Sequence, residues 1–155
     1  MPFQVNINRE LPIGVPGKLA TGNPHSVVPQ VTEGAMVAGA NGVYAGRFGW
    51  IQTDGTVLNT DGGSGATPDG FILNELSGTL PLFEEASMFI PEGRPVTLLN
   101  RGDVFFGLPH GAAAVVKGDA IKCDPDTGEI DQSKSVATQF VVTGNSVDGI
   151  GIMSA

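Results

Sequence analysis

The sequence is poor in charged residues, and basic residues are the scarcest of them. Lys and Arg number 8 against 16 Asp and Glu, which gives a formal net charge of −8 over 155 residues. Binding to nucleic acid depends on basic side chains that replace counterions along the phosphate backbone, so the sequence predicts no nucleic-acid partner. Charged residues make up 15% of the chain, below the usual ~25%. Such a surface favours a protein that is packed against other proteins.

Cysteine and long apolar runs are also scarce. The single Cys123 cannot form an internal disulfide, and we interpret it as a small hydrophobic residue rather than a reactive or metal-binding thiol. No run of eighteen apolar residues occurs, so no membrane-spanning helix and no membrane partner are predicted. The opening residues MPFQVNINRE lack the basic and apolar regions of a signal peptide. We therefore expect a protein that is made and used without secretion.

Residues that could carry catalysis are few. His25 and His110 each follow a proline in a loop-like stretch, where histidine is usually a bystander. No G-x-S-x-G, H-E-x-x-H, P-loop or complete G-x-G-x-x-G motif occurs. The acidic stretch CDPDTGEID at 123–131 does not have the ligand spacing of an EF-hand, and a tight turn explains it better. We predict no catalytic or cofactor-binding residues, no metal site and no cofactor, and therefore a protein that is not an enzyme.

Glycine and proline, by contrast, are abundant, with 23 and 11 copies. Asn41-Gly42 and Asp54-Gly55 flank a run of strand-forming residues, and both pairs are typical of two-residue type I′ turns between adjacent antiparallel strands. Similar signals recur at Asp69-Gly70, 126–128, 143–145 and Asp148-Gly149. No window of twelve or more residues has apolar residues at helical spacing. The sequence therefore predicts an all-β protein.

The length of 155 residues fits a single domain, and the turn spacing indicates a sandwich or a closed barrel. We place strands near 35–39, 43–53, 56–59, 70–76, 86–91, 95–100, 103–107, 112–116, 119–124, 129–132, 136–143 and 146–153. The run 43–53 has apolar residues on both faces, with Tyr44, Phe48 and Trp50 together on one of them, which predicts a central strand covered on both sides. Gly46 and Gly49 within this run indicate a bulge or a close approach by another backbone.

Residues 1–33 differ from the domain predicted at 34–155. Five prolines interrupt any sheet ladder there, so we expect an extended N-terminal arm that becomes ordered on the surface of a neighbouring protein. The arm supplies most of the residues that we predict at a partner interface, namely Phe3, Val5, Ile7, Arg9, Leu11, Ile13 and Leu19. Arg47 and Arg101 complete this set, because in a chain with so few basic groups each arginine is expected to pair with an acid in the same subunit or in a neighbour.

Several blocks of the sequence are similar to one known family. The most specific block is GAMVAGANGVYAGRFGWI at 34–51. Further similar blocks are PIGVPG at 12–17, Asn23-Pro24, PDGFI at 68–72, IPEG at 90–93, Val96-Thr97, Gly102-Asp103, Gly118-Asp119-Ala120, Asp124-Pro125 and Thr127-Gly128. Together they resemble the structural cement, or decoration, proteins of tailed-phage capsids. The stretches at 60–68 and 108–111 have no clear counterpart and are expected to be variable surface loops.

This resemblance implies a barrel-like or jelly-roll-like protein, made in the bacterial host cytoplasm, that binds the outside of an icosahedral shell. Its partners would be the major capsid protein, whose neighbouring capsomers it clamps, and other copies of itself. We expect a homotrimer rather than a dimer, because three capsomers meet at three-fold positions. The family has no catalytic residues to carry over. The alternative is a tail or baseplate β-domain that recognises a sugar or another tail protein, and a small β-barrel hydrolase is a third hypothesis.

Overall fold

A computed structural model describes residues 14–29, 36–75 and 88–155. These residues form strands and no helix, and so contain no helix that could span a membrane. The strands are β1 (Ser26–Val27), β2 (Val37–Ala38), β3 (Val43–Tyr44), β4 (Phe48–Ile51), β5 (Thr56–Leu58), β6 (Gly70–Ile72), β7 (Phe89–Ile90), β8 (Leu98–Arg101), β9 (Asp103–Gly107), β10 (Ala120–Cys123), β11 (Val136–Val142) and β12 (Ile150–Ser154). The predicted all-β class is confirmed.

The strands form two main sheets and one small one. The larger main sheet has the order β1-β8-β6-β4-β5-β2, and the smaller main sheet has the order β10-β11-β12-β9. We call the smaller one sheet A and the larger one sheet B. Strands β3 and β7 pair separately. The arrangement is a sandwich, so the jelly-roll-like sandwich prediction agrees with the structure, and the closed-barrel form of that prediction does not.

Sheet B is buried on both faces. Alternate residues of its strands enter two different hydrophobic clusters: Phe71 and Leu99 belong to the cluster shared with sheet A, whereas Ile72 and Leu98 belong to a second cluster with β3 and β7. Such alternation follows from the two-residue period of a strand. The prediction of a central strand covered on both sides is confirmed for β4, whose Phe48 and Trp50 lie in the first cluster.

Three phenylalanine rings lie at the centre of the first cluster. Phe48 and Phe71 have ring centroids 5.1 Å apart in an edge-on arrangement, and Phe140 of sheet A lies 5.9 Å from Phe48 and 6.4 Å from Phe71. These distances are within the range in which aromatic pairs add to the energy of burial. The two main sheets are therefore joined through an aromatic contact as well as through aliphatic packing.

Glycine permits the close packing of the second cluster at Gly49, although the atoms that approach it belong to side chains and not to another backbone. A Cβ atom at Gly49 would lie 3.0 Å from Val57 and 3.1 Å from Ile72 and Leu98. Gly46 has a different role, because its φ of 74° ends the predicted strand 43–53 and divides it into β3 and β4. The break also separates Tyr44 from the buried face to which the uninterrupted strand would have assigned it.

Of the two turns predicted around the run 43–53, one joins a hairpin and the other does not. Asp54-Gly55 does join the antiparallel strands β4 and β5, although the turn spans residues 52–55 and only Gly55 has a positive φ. Asn41-Gly42 has positive φ at both residues but does not connect a hairpin. This prediction is wrong because β2 pairs in parallel with β5, while β3 pairs with β7 in another sheet.

A two-residue turn of the predicted kind occurs at Asp148-Gly149. Both residues have positive φ, at 51° and 76°, and the flanking Val147 and Ile150 exchange backbone hydrogen bonds of 2.8 and 2.9 Å. Two predicted strands are absent: 112–116 has no strand, and 129–132 contributes only a bridge between Ile130 and Cys123.

The predicted N-terminal arm requires a correction in its described part. Residues 17–20 run beside β9, where the Gly17 and Ala20 amides donate to the carbonyls of Phe105 and Asp103 at 2.9 Å. Strand β1 then pairs with β8. Because β8 and β9 are consecutive and belong to different sheets, residues 14–29 line the edges of both sheets. The prediction that the prolines interrupt any sheet ladder in residues 1–33 is therefore wrong for residues 14–29.

The prolines do not prevent this pairing because they lie between the paired stretches. Pro16 precedes residues 17–20, Pro24 separates them from β1, and Pro29 follows the last amide bonded to β8, that of Val28. Residues 1–13 and 30–33 lie outside the described part of the chain. The division into an arm at 1–33 and a domain at 34–155 stays a prediction.

Gly128 provides a test of the contact between the two main sheets. Its φ is 68°, its carbonyl accepts a hydrogen bond from the Phe48 amide, and a Cβ atom there would meet the Phe48 carbonyl oxygen. Gly63 is a matched control, with a φ of 85° and no atom within 4 Å of an added Cβ. We expect Gly63→Ala to lower the free energy of unfolding by about 1 kcal/mol.

Gly128→Ala should cost about 3 kcal/mol or more, because the clash with backbone adds to the strain at positive φ. Urea unfolding of the two variants and the wild type measures both values. Equal losses in the two variants would contradict the proposed backbone contact.

Candidate partner-binding surface

The one thiol of the chain is a core group, and the described residues hold no cluster of metal ligands. Cys123 is fully buried in the first cluster, and burial, followed by the charges of Asp124 and Asp61, raises the pKa of its thiol to about 12. The thiol is therefore protonated at neutral pH, and the interpretation of Cys123 as a core residue is confirmed. Within residues 14–29, 36–75 and 88–155, no three His, Cys, Asp or Glu side chains are grouped as metal ligands.

The acidic stretch 123–131 forms a turn, as predicted. The Asp124 carboxylate accepts a 2.8 Å bond from the Asp126 amide, and this bond is the main cause of the lowered pKa of Asp124. Lys134 approaches the same carboxylate at 3.1 Å. Gly128 has positive φ and donates its amide to the Asp124 carbonyl. The Asp124 carboxylate is thus occupied with the local backbone and one lysine.

Residues 14–29 expose apolar side chains to solvent. Val15, Leu19 and Val27 have exposed fractions of 46, 38 and 42%, so a stretch of sixteen residues contains three of the seven large hydrophobic residues found exposed in the described chain. The backbone of this stretch is bonded to β8 and β9, and these three side chains stay exposed while Val28 packs against the second cluster. The predicted interface residue Leu19 is therefore accessible to a partner.

The side chain of Asp103 in β9 also holds this stretch in place, through hydrogen bonds. Its carboxylate accepts hydrogen bonds from the Thr21 hydroxyl at 2.6 Å and from the side-chain amide of Asn23 at 2.7 Å. A bond from Ser154, followed by those from Thr21 and Asn23, lowers the pKa of Asp103. Asp103 thus connects residues 21–23 to the end of sheet A.

Arg47 lies in a separate surface feature. One guanidinium nitrogen is 2.6 Å from a carboxylate oxygen of Glu129, and the guanidinium carbon lies 4.5 Å from the centroid of the Tyr44 ring. The Tyr44 ring is 42% exposed and contacts Phe89, with ring centroids 5.2 Å apart. The prediction that Arg47 pairs with an acid is confirmed within the subunit. Tyrosine and arginine dominate the energetics of many protein interfaces.

Grooves flank this Tyr44–Arg47 pair on two sides. One has a volume of about 440 Å³ and is lined mainly by apolar residues; these include Pro16, Ala45, Met88, Leu108, Pro109 and Ile130. The other, of about 260 Å³, is lined by Asn59, Thr60 and Asp126 among others. Because Pro16 lines the larger groove, the Tyr44–Arg47 surface adjoins the N-terminal stretch.

Arg101 is exposed at the end of β8, opposite Ser26 of β1. No acid in the described part of the chain lies within 4.0 Å of it, which leaves its guanidinium available to a neighbour. Leu19 is bridged to Val104 of β9, and Arg101 is paired with Ser26 of β1. Both residues therefore lie where residues 14–29 meet β8 and β9, whereas Arg47 is paired with Glu129. Six predicted interface residues fall outside the described residues: Phe3, Val5, Ile7, Arg9, Leu11 and Ile13.

The sequence interpretation missed three exposed apolar residues. Val15 and Val27 lie in the predicted arm but were not selected, although their neighbouring prolines and polar residues signalled a surface stretch. Tyr44 was assigned to the same face as the buried Phe48 and Trp50, because the turn at Gly46 was not anticipated. In the adjacent pair Phe105-Phe106, Phe106 is buried in the core, and the Phe105 ring lies against the backbone at Gly14.

Comparison with known proteins identifies the family. The model of the XM1 gp53 minor capsid protein family matches residues 3–154. The chain belongs to this family. A chain from the structure titled "The capsid of Myoviridae Phage XM1" has the same fold, with a TM-score of 0.66, 17% sequence identity, and coverage of 99% of this chain and 97% of that chain. No curated protein matches.

Family membership confirms two predictions. The resemblance to a phage capsid-associated protein holds, and so does the predicted location in the virion capsid. It also supports a structural role for the chain. The described geometry, with its exposed apolar stretch and its buried thiol, agrees with a protein that acts through contact surfaces.

Replacement of Asp103 tests how residues 14–29 are held. We expect Asp103→Asn to raise the amide exchange rates of Gly17 and Ala20 several-fold, because a neutral side chain accepts weaker hydrogen bonds from Thr21 and Asn23. Asp54→Asn is the control, since the lowered pKa of Asp54 arises from Thr56 in the β4–β5 turn. Hydrogen exchange followed by NMR measures both variants.

The effect should depend on pH in a defined direction. The pKa of Asp103 is lowered below 3.8 in the folded protein, so its contribution is present above that pH and is lost as the pH falls through the folded pKa. The exchange rates of wild type and Asp103→Asn should therefore converge in strong acid. If the ratio of the two exchange rates stayed constant with pH, the ionised carboxylate of Asp103 would not be the group that holds this stretch.

Proposed function

We propose that this protein is a non-enzymatic cement, or decoration, protein that binds the exterior of a phage capsid and stabilises contacts between capsomers of the major capsid protein. The observation that carries the proposal is the family match over residues 3–154, because it includes every predicted interface residue and the whole described sandwich. No observation favours the alternative of a tail or baseplate domain.

The N-terminal stretch is the surface that we propose for shell binding. Val15, Leu19 and Val27 are exposed, and Arg101, paired with Ser26 of this stretch, has no acid within 4.0 Å in the described chain. A fully buried valine or leucine contributes roughly 1.5–3 kcal/mol, which is modest against the cost of association. Repetition over a symmetric shell turns such weak contacts into strong attachment.

The arm completes this surface in our proposal. Residues 1–13 contain Phe3, Val5, Ile7, Leu11 and Ile13, and they lead directly into the exposed stretch at Val15. Their burial against a neighbouring subunit would extend the same contact. Arg47, paired with Glu129 and stacked on Tyr44, would form a secondary contact beside it.

The test uses capsid shells that lack this protein. Wild type added to such shells should sediment with them, and electron cryomicroscopy should show its density on the exterior. The triple variant Val15→Thr, Leu19→Thr and Val27→Thr should bind at least about tenfold more weakly, because it removes apolar contact at the proposed surface. The control is Val116→Thr, Val141→Thr and Val147→Thr, whose side chains are 53, 43 and 51% exposed elsewhere.

The two possible failures are distinct. Shells that carry no exterior density with wild-type protein would contradict the proposed function. Shells that are decorated equally by both triple variants would leave the function standing and remove the N-terminal stretch as the binding surface.

We also propose a homotrimer. A low-charge surface with exposed apolar side chains favours self-association, and a trimer at a three-fold position would contact three capsomers. Light scattering at micromolar concentration should return a mass near three times 15.9 kDa. A mass of one subunit would mean that copies meet only on the shell.

A further inference from the structure

A tight turn near the start of the described chain reverses its direction. Pro16 and Gly17 occupy the two central positions, Gly17 has a φ of 83°, and the Lys18 amide donates to the Val15 carbonyl at 3.1 Å. Proline followed by a glycine at positive φ is the pattern of a type II turn. The residues before this turn therefore run back from the stretch that pairs with the edge strand β9.

The chain before the turn lies over the outer face of sheet A. Phe105 lies between Val104 and Phe106, which are both buried in the first cluster, so its side chain points away from the core. A Cβ atom at Gly14 would lie 2.6 Å from three atoms of the Phe105 ring, so the Gly14 backbone lies directly on that ring. Because residues 17–20 lie outside β9, the path from them to Gly14 leads from the sheet edge inwards.

The next strand inwards carries an apolar patch. Ile152 of β12 is paired with Phe105, and Ile150 is paired with Gly107. Met153 next to Ile152 is buried in the first cluster, so both isoleucines point outwards with Phe105. All three of these side chains are only half-buried in the described chain. We call Phe105, Ile150 and Ile152 the outer patch.

Residues next to the turn alternate between the protein and solvent. Gly14 lies on the outer patch and Pro16 lines the larger groove, whereas Val15 between them is 46% exposed. An extended chain has this two-residue period. Continued by two residues, the same alternation directs Pro12 to the outer patch and Ile13 to solvent.

We propose that residues 11–13 of this chain lie across the outer patch, with Pro12 packed on Ile152. These residues directly precede the described Gly14. Two extended residues span about 6.6 Å, which is enough to cross the spacing of about 4.8 Å between β9 and β12. Proline suits this position because it is apolar and has no amide hydrogen that would need a partner above a sheet face.

This contact determines which side chains the arm presents to a partner. Leu11 and Ile13 point the same way as Val15, and together the three form an apolar row on the outside of the molecule, which we call the outward row. The assignment of this row to shell binding rests on the proposed function. The block PIGVPG at 12–17 then acts as one unit: its prolines and glycines face the protein or form the turn, and its β-branched residues face outwards.

NMR on the free full-length protein tests the contact with the outer patch. A nitroxide attached to Leu11→Cys reports proximity, and Cys123 does not compete for the label because it is buried and the pKa of its thiol is raised to about 12. We expect the amide signals of Ile150 and Ile152 to lose most of their intensity. The signal of Thr56, in β5 near the far end of sheet B, should keep its intensity.

A matched pair of substitutions tests which side of the segment faces the sheet. In the labelled protein, Pro12→Asp places a charge against the outer patch and should restore the signals of Ile150 and Ile152. Ile13→Asp places the same charge in solvent and should leave the loss of signal unchanged. Ile152→Asp should act like Pro12→Asp, and its control is Ala137→Asp, at an exposed position of β11.

Two outcomes of these measurements contradict the proposal. One is a nitroxide that affects Ile152 no more than Thr56. The other is an equal effect of Pro12→Asp and Ile13→Asp on the signals. Should Ile152→Asp fail to fold, the matched pair decides, because residues 12 and 13 lie before the strands of the sandwich.

Shell binding tests the outward row separately. Ile13→Asp should bind shells at least about tenfold more weakly than wild type, because it removes an apolar contact and adds a charge that has to be desolvated. Equal binding of the two proteins would overturn the role of the outward row. The NMR measurements use no shells, so a failure of the proposed function is distinguishable from a failure of the contact with the outer patch.

Discussion

The burial of sheet B on both faces is the constraint on which the rest of this structure depends. Its central strands place alternate side chains in two hydrophobic clusters, so both faces of these strands are covered within the subunit. Sheet A and the β3–β7 pair are needed as covers, and the backbone at the open edges has to be satisfied by other means. Backbone covers most of these edges: residues 17–20 lie beside β9, residues 93–96 beside β2 and residues 129–131 beside β10. The side-chain amides of Gln132 and Asn59 bond to the remaining backbone groups of β10 and β3.

Periodicity and turn chemistry predicted the strands well, because both are local properties. Hairpins such as β4–β5 follow from residues that are adjacent in sequence. Pairing between distant segments was harder to predict from the sequence. Asn41-Gly42 has the conformation of a hairpin turn, but β2 pairs in parallel with β5 and so does not form a hairpin with β3. Likewise, the prolines of residues 14–29 do mark local interruptions of the pairing. The strands that this stretch pairs with, β8 and β9, are about 80 residues away in the sequence, so local residues could not predict them.

The candidate surface was predictable only in part for the same reason. Leu19 was selected as an apolar residue of a surface stretch, and the structure explains its exposure by the backbone attachment beside it. Tyr44 was placed on one face with Phe48 and Trp50 because a continuous strand was predicted. The strand is instead interrupted at Gly46, and the chain changes direction there. The amide side chains of Gln132 and Asn59 gave no sequence signal, since their roles depend on backbone groups brought close by the fold.

The backbone attachment of residues 14–29 has a consequence for how such a protein evolves. Hydrogen bonds from main-chain amides are the same for nearly every amino acid, so the identities of Val15, Leu19 and Val27 are free to change with little loss of folding stability. A lineage can thus alter the chemistry of this surface in step with a changing partner while the sandwich beneath it stays constant. Sequence divergence at a shared fold, such as 17% identity at a TM-score of 0.66, is the pattern that this separation of tasks permits.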